Sequence, residues 1–168
     1  MNRKIIFFIA VSFVLFSCTT VKKIEPEEEI IVPVEEEKKP PQLSLLFAGD
    51  IMAHTQNFSI SDYSKIWSGI KHITGNSDFS FANIETPVCD SLPYSSYPSF
   101  NIHSNYVEAA IDAGFNVFSL ANNHSNDQYL KGINATIDFS TETEKKYRDT
   151  ERKVYFSGLR EAKAEFSY

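Results

Sequence analysis

Residues 43–50 read LSLLFAGD, a mainly apolar run that ends in Gly49 and Asp50. A short apolar run bounded by a turn signal is typical of a strand that is buried in a sheet. We therefore predict a buried strand over residues 43–48, whose C-terminal tip presents the carboxylate of Asp50.

Downstream of this strand, the pattern becomes helical and then returns to that of a strand. Apolar side chains recur at helical spacing over residues 61–73, which predicts an amphipathic helix that ends at Gly75 and Asn76. Residues 79–84 read FSFANI and predict a second strand. Glu85 then places a second carboxylate at a strand end.

The second half of the chain repeats this alternation. Residues 90–101 are rich in Ser, Pro and Tyr and predict a loop. Asn105 followed by Glu108 matches a helix N-terminal cap, and Gly114 matches a helix stop. The other predicted elements are a helix over 106–113, a strand over 115–121, a helix over 129–147 and a strand over 154–156. The alternation predicts an α/β fold whose sheet is at least partly parallel.

Polar side chains follow three of the predicted strands: Asp50 after the first, Glu85 after the second, and the run Asn122-Asn123-His124 after the third. In open α/β sheets, sites collect at the carboxyl ends of strands, because several loops converge there over one crevice. Carboxylate and amide oxygens suit Mn, Mg or Fe, and an imidazole can bind metal or donate a proton. The sequence therefore predicts a metal-type site under the loop at 90–101.

Each of these features also has an ordinary structural interpretation. Asp50 matches a helix or turn cap, and Glu85 matches a solvated loop charge. The run at 122–124 matches a turn that favours left-handed backbone. His54, after the first strand, could bind metal or substrate or make an ordinary polar contact. Two further histidines without clear partners are interpreted as structural: His72 and His103.

Composition limits the size and the partners of the protein. The chain has 168 residues, of which 42% are hydrophobic and 14% aromatic, enough for one core and a single domain. A formal net charge of -6 argues against nucleic acid as a partner, because phosphate binding requires a basic face. Of the two cysteines, Cys18 lies near the N-terminus and Cys89 in the domain, so no disulfide framework is expected.

The N-terminus has the features of a secretory signal. Asn2-Arg3-Lys4 is positive, residues 5–16 are almost entirely apolar, and Ser17-Cys18 follows. This apolar run is too short to span a bilayer as a mature helix. Residues 15–18, LFSC, resemble the bacterial lipobox, which implies a signal peptide over 1–17 and a lipid on Cys18. The alternatives are an uncleaved anchor or a chance cysteine, and both of these also place the protein outside the cytoplasm.

Residues 18–42 carry mainly Glu, Lys and Pro after the cysteine, including Glu27-Glu28-Glu29 and Glu35-Glu36-Glu37. Such a segment buries too little apolar surface to offset its ordering entropy, so we predict a disordered, mostly extended tether. The alternative is an acidic metal-binding run. We expect the folded domain to occupy residues 43–168.

Three motifs in this domain resemble those of one protein family. LFAGDIM at 46–52, FANIETP at 81–87 and FSLANNH at 118–124, continuing to Asp127, resemble in order and spacing the CapA family of capsule synthesis proteins. That family is linked to poly-gamma-glutamate biosynthesis and looks like a branch of the calcineurin-like metallophosphoesterases. The resemblance covers about residues 43–160. It implies the N-terminal half of a metallophosphoesterase-like α/β sandwich with a mostly parallel sheet.

The resemblance implies roles for five residues of these motifs. Asp50 would be a metal ligand, Glu85 would bridge two metals, and Asn123 would bind the second metal. His124 would contact the scissile group or protonate its leaving oxygen, and Asp127 would orient His124. The implied cofactors are two divalent ions (Mn, Mg, Fe or Zn), and the implied reaction is attack by metal-activated water on a phosphate ester or a polymer linkage.

The sequence departs from the family in two ways. The superfamily usually has a histidine where Met52 stands, and the nearest histidine is His54, which we keep as a ligand candidate. The later histidine motifs of the family do not occur before Tyr168, so we expect a truncated domain. This chain alone would then show weak or absent catalysis.

Three functions follow from these expectations. The first is a lipoprotein hydrolase, anchored to the bacterial cell membrane or outer membrane, that acts on an anionic envelope polymer or a phosphate ester. The second is a non-catalytic component that binds or assembles the polymer. The third is an inactive remnant, in which half a sandwich leaves sheet surface and a strand edge uncovered.

Overall fold

The computed structural model describes residues 41–160, which lie in one compact unit, Pro40–Tyr168. The predicted signal peptide at 1–17, Cys18 and nearly all of the predicted tether lie outside the described residues. The strands are β1 Leu45–Ile51, β2 Phe79–Ile84, β3 Val117–Ser119 and β4 Tyr155–Ser157. The helices are α1 Thr55–Phe58, α2 Ser64–Trp67, α3 Lys71–Thr74, α4 Ser104–Asp112 and α5 Tyr129–Tyr147.

The four strands form one parallel sheet in the order β1-β2-β3-β4. Parallel neighbours need a crossover connection, and helices lie in each of the three connections, with α1–α3, α4 and α5 in turn. The α/β prediction is confirmed, and the described sheet is parallel throughout. All the C-terminal strand ends therefore lie along one edge, where the predicted site residues were expected.

The hydrophobic core lies on one face of the sheet. Ala82, Ile84 and Phe118 are buried from the sheet side, and α4 contributes Tyr106 and Val107. Burying one aromatic or branched side chain of this kind contributes about 1.5–3 kcal/mol relative to leaving it in water. The helices are therefore held against this face mainly by apolar burial.

The opposite face is apolar and uncovered by any described helix. We call it the open face and define it by five residues: Leu45, Phe47, Phe79, Phe81 and Tyr155. The Phe47 and Phe81 rings stack at 4.6 Å between centroids, and Phe79 lies 6.5 Å from Phe81 and 6.3 Å from Tyr155. Phe47 is 72% exposed, Leu45 50% and Tyr155 42%. An aromatic row therefore crosses the sheet in contact with solvent.

Some predicted bounds are correct and others are not. The strand at 79–84 and the helix at 129–147 match β2 and α5. The first strand is β1 rather than 43–48, so Asp50 lies inside it, and the third strand is shorter than 115–121. The single helix at 61–73 is wrong, because the chain forms α2 and α3 separately. Ser68 and Gly69 lie between them, and both are poor helix residues.

The predicted cap at Asn105 and Glu108 is also wrong. Helix α4 begins at Ser104, two residues before the predicted start at 106, and the Asp90 carboxylate accepts hydrogen bonds from the Ser104 N–H and hydroxyl, both at 2.7 Å. Glu108 instead accepts from Lys146 Nζ at 3.1 Å. A carboxylate from a distant loop thus binds the helix N-terminus where a local residue was expected.

Candidate functional site

A β-bulge sets the direction of the Asp50 side chain. In the pairing of β1 with β2, Phe47 lies opposite Phe81 and Asp50 opposite Asn83, so three steps along β1 match two along β2. Side chains alternate between the two faces of a strand, so in a regular strand Phe47 and Asp50, three steps apart, would point to opposite sides. The bulge at Ala48-Gly49 therefore places Asp50 on the same side as Asn83.

An asparagine joins the two carboxylates of the site. Asn83 Nδ2 donates to Asp50 Oδ1 at 2.8 Å and to Glu85 Oε2 at 3.4 Å. Asn83 and Glu85 are two residues apart, so they lie on the same side of the chain as it leaves β2. A hydrogen bond with Asp50, burial and the Asp50 charge raise the pKa of the Glu85 carboxyl above its usual range. The contact with Asp50 therefore favours the neutral form of the Glu85 carboxyl over its charged form.

The imidazole of His124 is oriented by a third carboxylate. His124 Nδ1 lies 2.8 Å from Asp127 Oδ2, which also accepts the Phe100 backbone N–H at 2.7 Å. An ionised carboxylate can only accept, so this contact puts the proton on Nδ1 and leaves Nε2 available. His124 Nε2 points towards the carboxylate pair and lies 4.0 Å from Glu85 Oε1.

A second asparagine ties the turn after β3 to β2. Asn122 Nδ2 donates to the Ile84 carbonyl at 2.8 Å and to Asn83 Oδ1 at 3.3 Å, and Asn122 Oδ1 accepts the His124 backbone N–H at 3.0 Å. Asn122 therefore lies in a turn, as that interpretation of the run had it, but the expected left-handed backbone is wrong, because none of residues 122–124 has a positive φ. The same contacts fix the amide of Asn83, whose oxygen accepts while its nitrogen donates to Asp50.

The loop predicted at 90–101 covers the histidines. The Phe100 ring meets His124 edge-on, with centroids 4.8 Å apart and planes at 87°, and lies 5.3 Å from His54. Gln128 Nε2 donates to the Phe100 carbonyl and to Ser99 Oγ, both at 3.0 Å, which anchors the loop beside the start of α5. This ring shields one side of His124 from water.

The structure brings together four of the six residues predicted from sequence: Asp50, Glu85, His124 and Asp127. His54 is exposed, and its Nδ1 lies 3.0 Å from Ser96 Oγ, on the other side of the Phe100 ring. Asn123 is exposed, and its side chain forms no hydrogen bond with another residue of the described range 41–160.

Sequence reasoning missed the roles of Asn83 and Asn122. Asn83 had a usable signal, because it precedes Glu85 by two residues on a predicted strand and therefore shares its side. Asn122 had none, because nothing local distinguishes it from Asn123.

Comparison with known proteins identifies the family of this chain. The family of bacterial capsule synthesis proteins PGA_cap matches residues 44–147, which include all three strand-end motifs. The chain belongs to this family. The CapA resemblance drawn from the motifs is therefore confirmed.

A curated relative agrees with this assignment. The capsule biosynthesis protein CapA of Bacillus anthracis is 30% identical over 148 residues, which cover 82% of this chain and 34% of the relative. This PGA_cap chain therefore spans about a third of the length of that relative.

The donor groups of this PGA_cap chain fit part of a divalent metal site. Asp50 and Glu85 offer hard oxygen ligands held side by side, the donor type that Mg or Mn prefers. Within residues 41–160, no three His, Cys, Asp or Glu side chains are grouped closely enough to hold a metal ion. The described residues would therefore supply two carboxylates of a larger ligand set.

Two further findings concern features outside this site. Cys89 is buried and its thiol is free. Among the described residues, no helix combines the length and the apolar character needed to cross a membrane.

Proposed function

We propose that this PGA_cap chain is an envelope lipoprotein that acts in the biosynthesis of a capsule or poly-gamma-glutamate type polymer through a metal-dependent, phosphoesterase-like hydrolase site. One observation carries the proposal: a carboxylate pair and a carboxylate-oriented imidazole meet at the carboxyl edge of a parallel sheet. A water-activating pair beside a proton donor is the arrangement that hydrolysis of a phosphate ester needs.

The residues divide the chemistry between them. Asp50 and Glu85 would hold a divalent cation, and Asn123 is the candidate for a further ligand. A cation bound there would lower the pKa of a bound water and stabilise developing negative charge. His124, with Nδ1–H donated to Asp127, presents Nε2 to the substrate; in its imidazolium form it would give the Nε2 proton to the leaving oxygen and keep the Nδ1 proton on the Asp127 side. Phe100 limits the access of competing water to this nitrogen.

The metal-binding part of the proposal is tested with the purified chain. After removal of metal by chelation, Mn²⁺ titration should give weak binding, with a Kd on the order of 10⁻⁴ to 10⁻³ M, because few charged ligands converge. Asp50→Asn should weaken it at least about tenfold. The matched control is Asp149→Asn, an exposed carboxylate outside the site, which should bind like the wild type. Equal Mn²⁺ affinity in both variants would contradict the assignment of Asp50.

The catalytic part needs a separate measurement. Hydrolysis of bis(p-nitrophenyl) phosphate with and without Mn²⁺ reports phosphoesterase turnover, and we expect a low rate in this chain. If His124 takes part in this turnover, Asp127→Asn should lower kcat and leave Mn²⁺ binding unchanged. Asp127 contacts His124 and does not contact Asp50 or Glu85.

A second candidate is a non-catalytic component that binds or assembles the anionic polymer. The absence of a three-residue metal cluster among residues 41–160 favours it. Capsule formation in cells that carry Asp50→Ala or Asn123→Ala separates the two functions. Capsule that persists in both variants but disappears when the tether is deleted supports the binding role.

A further inference from the structure

We propose that His54, Ser96 and Tyr97 form a second binding site, the His54 site, for an anionic group of the substrate that neighbours the group on which His124 would act. The ligand chemistry is a carboxylate or phosphate oxygen that accepts hydrogen bonds. The inference rests on the proposed function, because both sites would serve one substrate, but the binding that it predicts is measured without turnover.

His54 has one ring nitrogen engaged and the other available. Its Nδ1 lies 3.0 Å from Ser96 Oγ, and its backbone N–H donates to Asn57 Oδ1 at 3.0 Å. Within residues 41–160, its Nε2 forms no hydrogen bond and the ring takes part in no ion pair. The side chain is exposed, so it contributes little to the core. An imidazole that is held through one nitrogen and presents the other to solvent is available to a ligand.

The contact with Ser96 allows Nε2 of His54 to act as a donor. The Ser96 hydroxyl can donate to Nδ1 of a neutral ring or accept from Nδ1 of an imidazolium, and Nε2 carries a proton in both states. The hydroxyl of Tyr97, whose side chain is 73% exposed, is a second donor on the next residue of the loop. Hydrogen bonds from such donors are stronger when the accepting oxygen is charged. The His54 site therefore favours an anionic group.

The ring of Phe100 fixes the spacing between the His54 site and His124. This ring is buried, and its centroid lies 5.3 Å from that of His54 and 4.8 Å from that of His124. The Tyr97 ring also contacts it, with centroids 6.4 Å apart. One aromatic side chain thus separates the two imidazoles, so neighbouring groups of one substrate chain can reach both.

The loop that carries Ser96 and Tyr97 is held by hydrogen bonds within its own backbone. Ser95 and Asn101 exchange two N–H to carbonyl bonds, at 3.0 and 3.1 Å. The Ser95 hydroxyl also donates to the Ser99 carbonyl at 2.7 Å. Groups that are already held in place lose less conformational entropy when a ligand binds. The exposed ring of Tyr97 is therefore presented by an ordered loop, as a binding group needs to be.

The charges around the two sites differ in sign and in what they attract. The carboxylates of Asp50 and Glu85 repel an anion when no cation is bound to them. By contrast, no carboxylate of residues 41–160 forms a hydrogen bond or an ion pair with the side chain of His54 or Tyr97. Nor does His54 belong to a group of three metal-binding side chains within that range. This arrangement assigns His54 to the substrate and not to the metal.

NMR of the histidine rings measures binding to the purified 168-residue chain without turnover. In buffer with a chelator, at constant pH and ionic strength, the chain is titrated with inorganic phosphate and, separately, with the dicarboxylate glutarate. At least one probe should shift the Cε1–H signal of His54, with a Kd on the order of 10⁻³ to 10⁻² M, because few donors converge. The spectrum of His54→Gln assigns this signal, and the signal of the exposed His72 should stay in place.

The probes also distinguish the sources of the anionic oxygen. A shift with phosphate alone supports a phosphate group as the ligand, a shift with glutarate alone supports a carboxylate, and a shift with both supports either. No shift of His54 with either probe, or an equal shift of His72, would overturn the inference.

Two variants test the other members of the His54 site. Ser96→Ala removes the partner that orients the imidazole, and Tyr97→Phe removes only a hydroxyl, so each should weaken binding at least about threefold. Tyr129→Phe is the matched control, because Tyr129 is 77% exposed on another segment, and it should bind like the wild type. Wild-type affinity in both Ser96→Ala and Tyr97→Phe would contradict the proposed site.

The outcomes separate this inference from the proposed function. If His54 binds a probe while the chain shows no Mn²⁺-dependent turnover, the His54 site is supported and the hydrolase assignment fails. Turnover without any shift of His54 would sustain the hydrolase and overturn the His54 site. A fall in Mn²⁺ affinity in His54→Gln as large as that in Asp50→Asn would return His54 to the metal ligands, and the inference would fail.

Discussion

At the scale of single residues, Asn83 holds the candidate site together. It donates to Asp50 and Glu85 and accepts from Asn122, so its amide contacts groups from two strands and the turn after β3. An amide can do this because it carries donors and an acceptor on one planar group. A carboxylate at this position would add a third negative charge and lose both donors.

Replacing Asn83 with Leu should therefore destabilise the protein. The change keeps the size of the side chain but removes a hydrogen-bond donor from the exposed Asp50 carboxylate and an acceptor from the half-buried Asn122 amide, and each such hydrogen bond contributes about 0.5–1.5 kcal/mol. Urea unfolding followed by circular dichroism measures the loss. Asn126→Leu, at an exposed turn position, should stay within about 0.5 kcal/mol of the wild type. A similar loss in both variants would mean that the amide network contributes nothing specific.

The raised pKa of the Glu85 carboxyl predicts a pH dependence of stability. The pKa of Glu85 is raised in the folded state by its hydrogen bond with Asp50, by burial and by the Asp50 charge. The folded protein therefore binds this proton more tightly than the unfolded chain does. The stabilisation is fully present below the unfolded pKa and is lost as the pH rises through the folded pKa.

Glu85→Gln cannot titrate, so it should remove this dependence. In chelator-containing buffer, the free energy of unfolding of the wild type relative to Glu85→Gln should fall as the pH rises from acid towards neutrality. Urea unfolding at several pH values measures both proteins side by side. A difference that stays constant with pH, or that grows towards neutrality, would contradict a raised pKa of Glu85 in the folded protein.

At the scale of elements, the bulge in β1 is the feature that builds the site. It lets one strand bury Ile51 on the core side while Asp50 points to the side of Asn83. A regular strand through the same residues would force Phe47 and Asp50 to opposite faces.

Deleting Ala48 and Gly49 together should therefore destabilise the fold as well as remove the site. Phe47 is then one step from Asp50, so the strand must expose Ile51 or shift Leu46 off the core side, and losing one such buried side chain costs about 2–4 kcal/mol. The matched control is deletion of Gly49 alone, because two steps along β1 then match two along β2 and each side chain keeps its side. Thermal unfolding of both proteins distinguishes a change of register from a shortening of the strand alone. A double deletion as stable as the single deletion would contradict this account of the register.

The elements also show what could be predicted from the sequence. Periodicity located β2 and α5 because their patterns are long and uninterrupted, and the strand-end rule located the edge that carries the site. The cap of α4 and the bulge could not be predicted in this way. The first depends on Asp90, fourteen residues before Ser104, and the second on a register between two strands. The local sequence pattern carries no information about a contact between distant residues or about the register of two strands.

At the scale of the whole molecule, we expect the folded part to carry the candidate site and the N-terminal segment to carry export and attachment. The sheet provides the candidate site and the open face, whereas the sequence of residues 1–42 provides the proposed export signal, lipid and tether. In the proposed function, attachment to a membrane through lipid would depend on one atom, the sulfur of Cys18.

Cys18→Ser should therefore release the protein from the membrane fraction. A single cysteine carries the whole proposed anchor, and burying lipid chains contributes about 0.8 kcal/mol per methylene, so its loss leaves no comparable attachment in the described domain. Fractionation of cells expressing each variant, with incorporation of a labelled fatty acid, measures the change. Cys89→Ala is the control, because it removes the other, buried thiol and should stay in the membrane fraction with its label. Membrane recovery of Cys18→Ser equal to that of the control would refute the lipid anchor and leave an uncleaved apolar segment as the explanation.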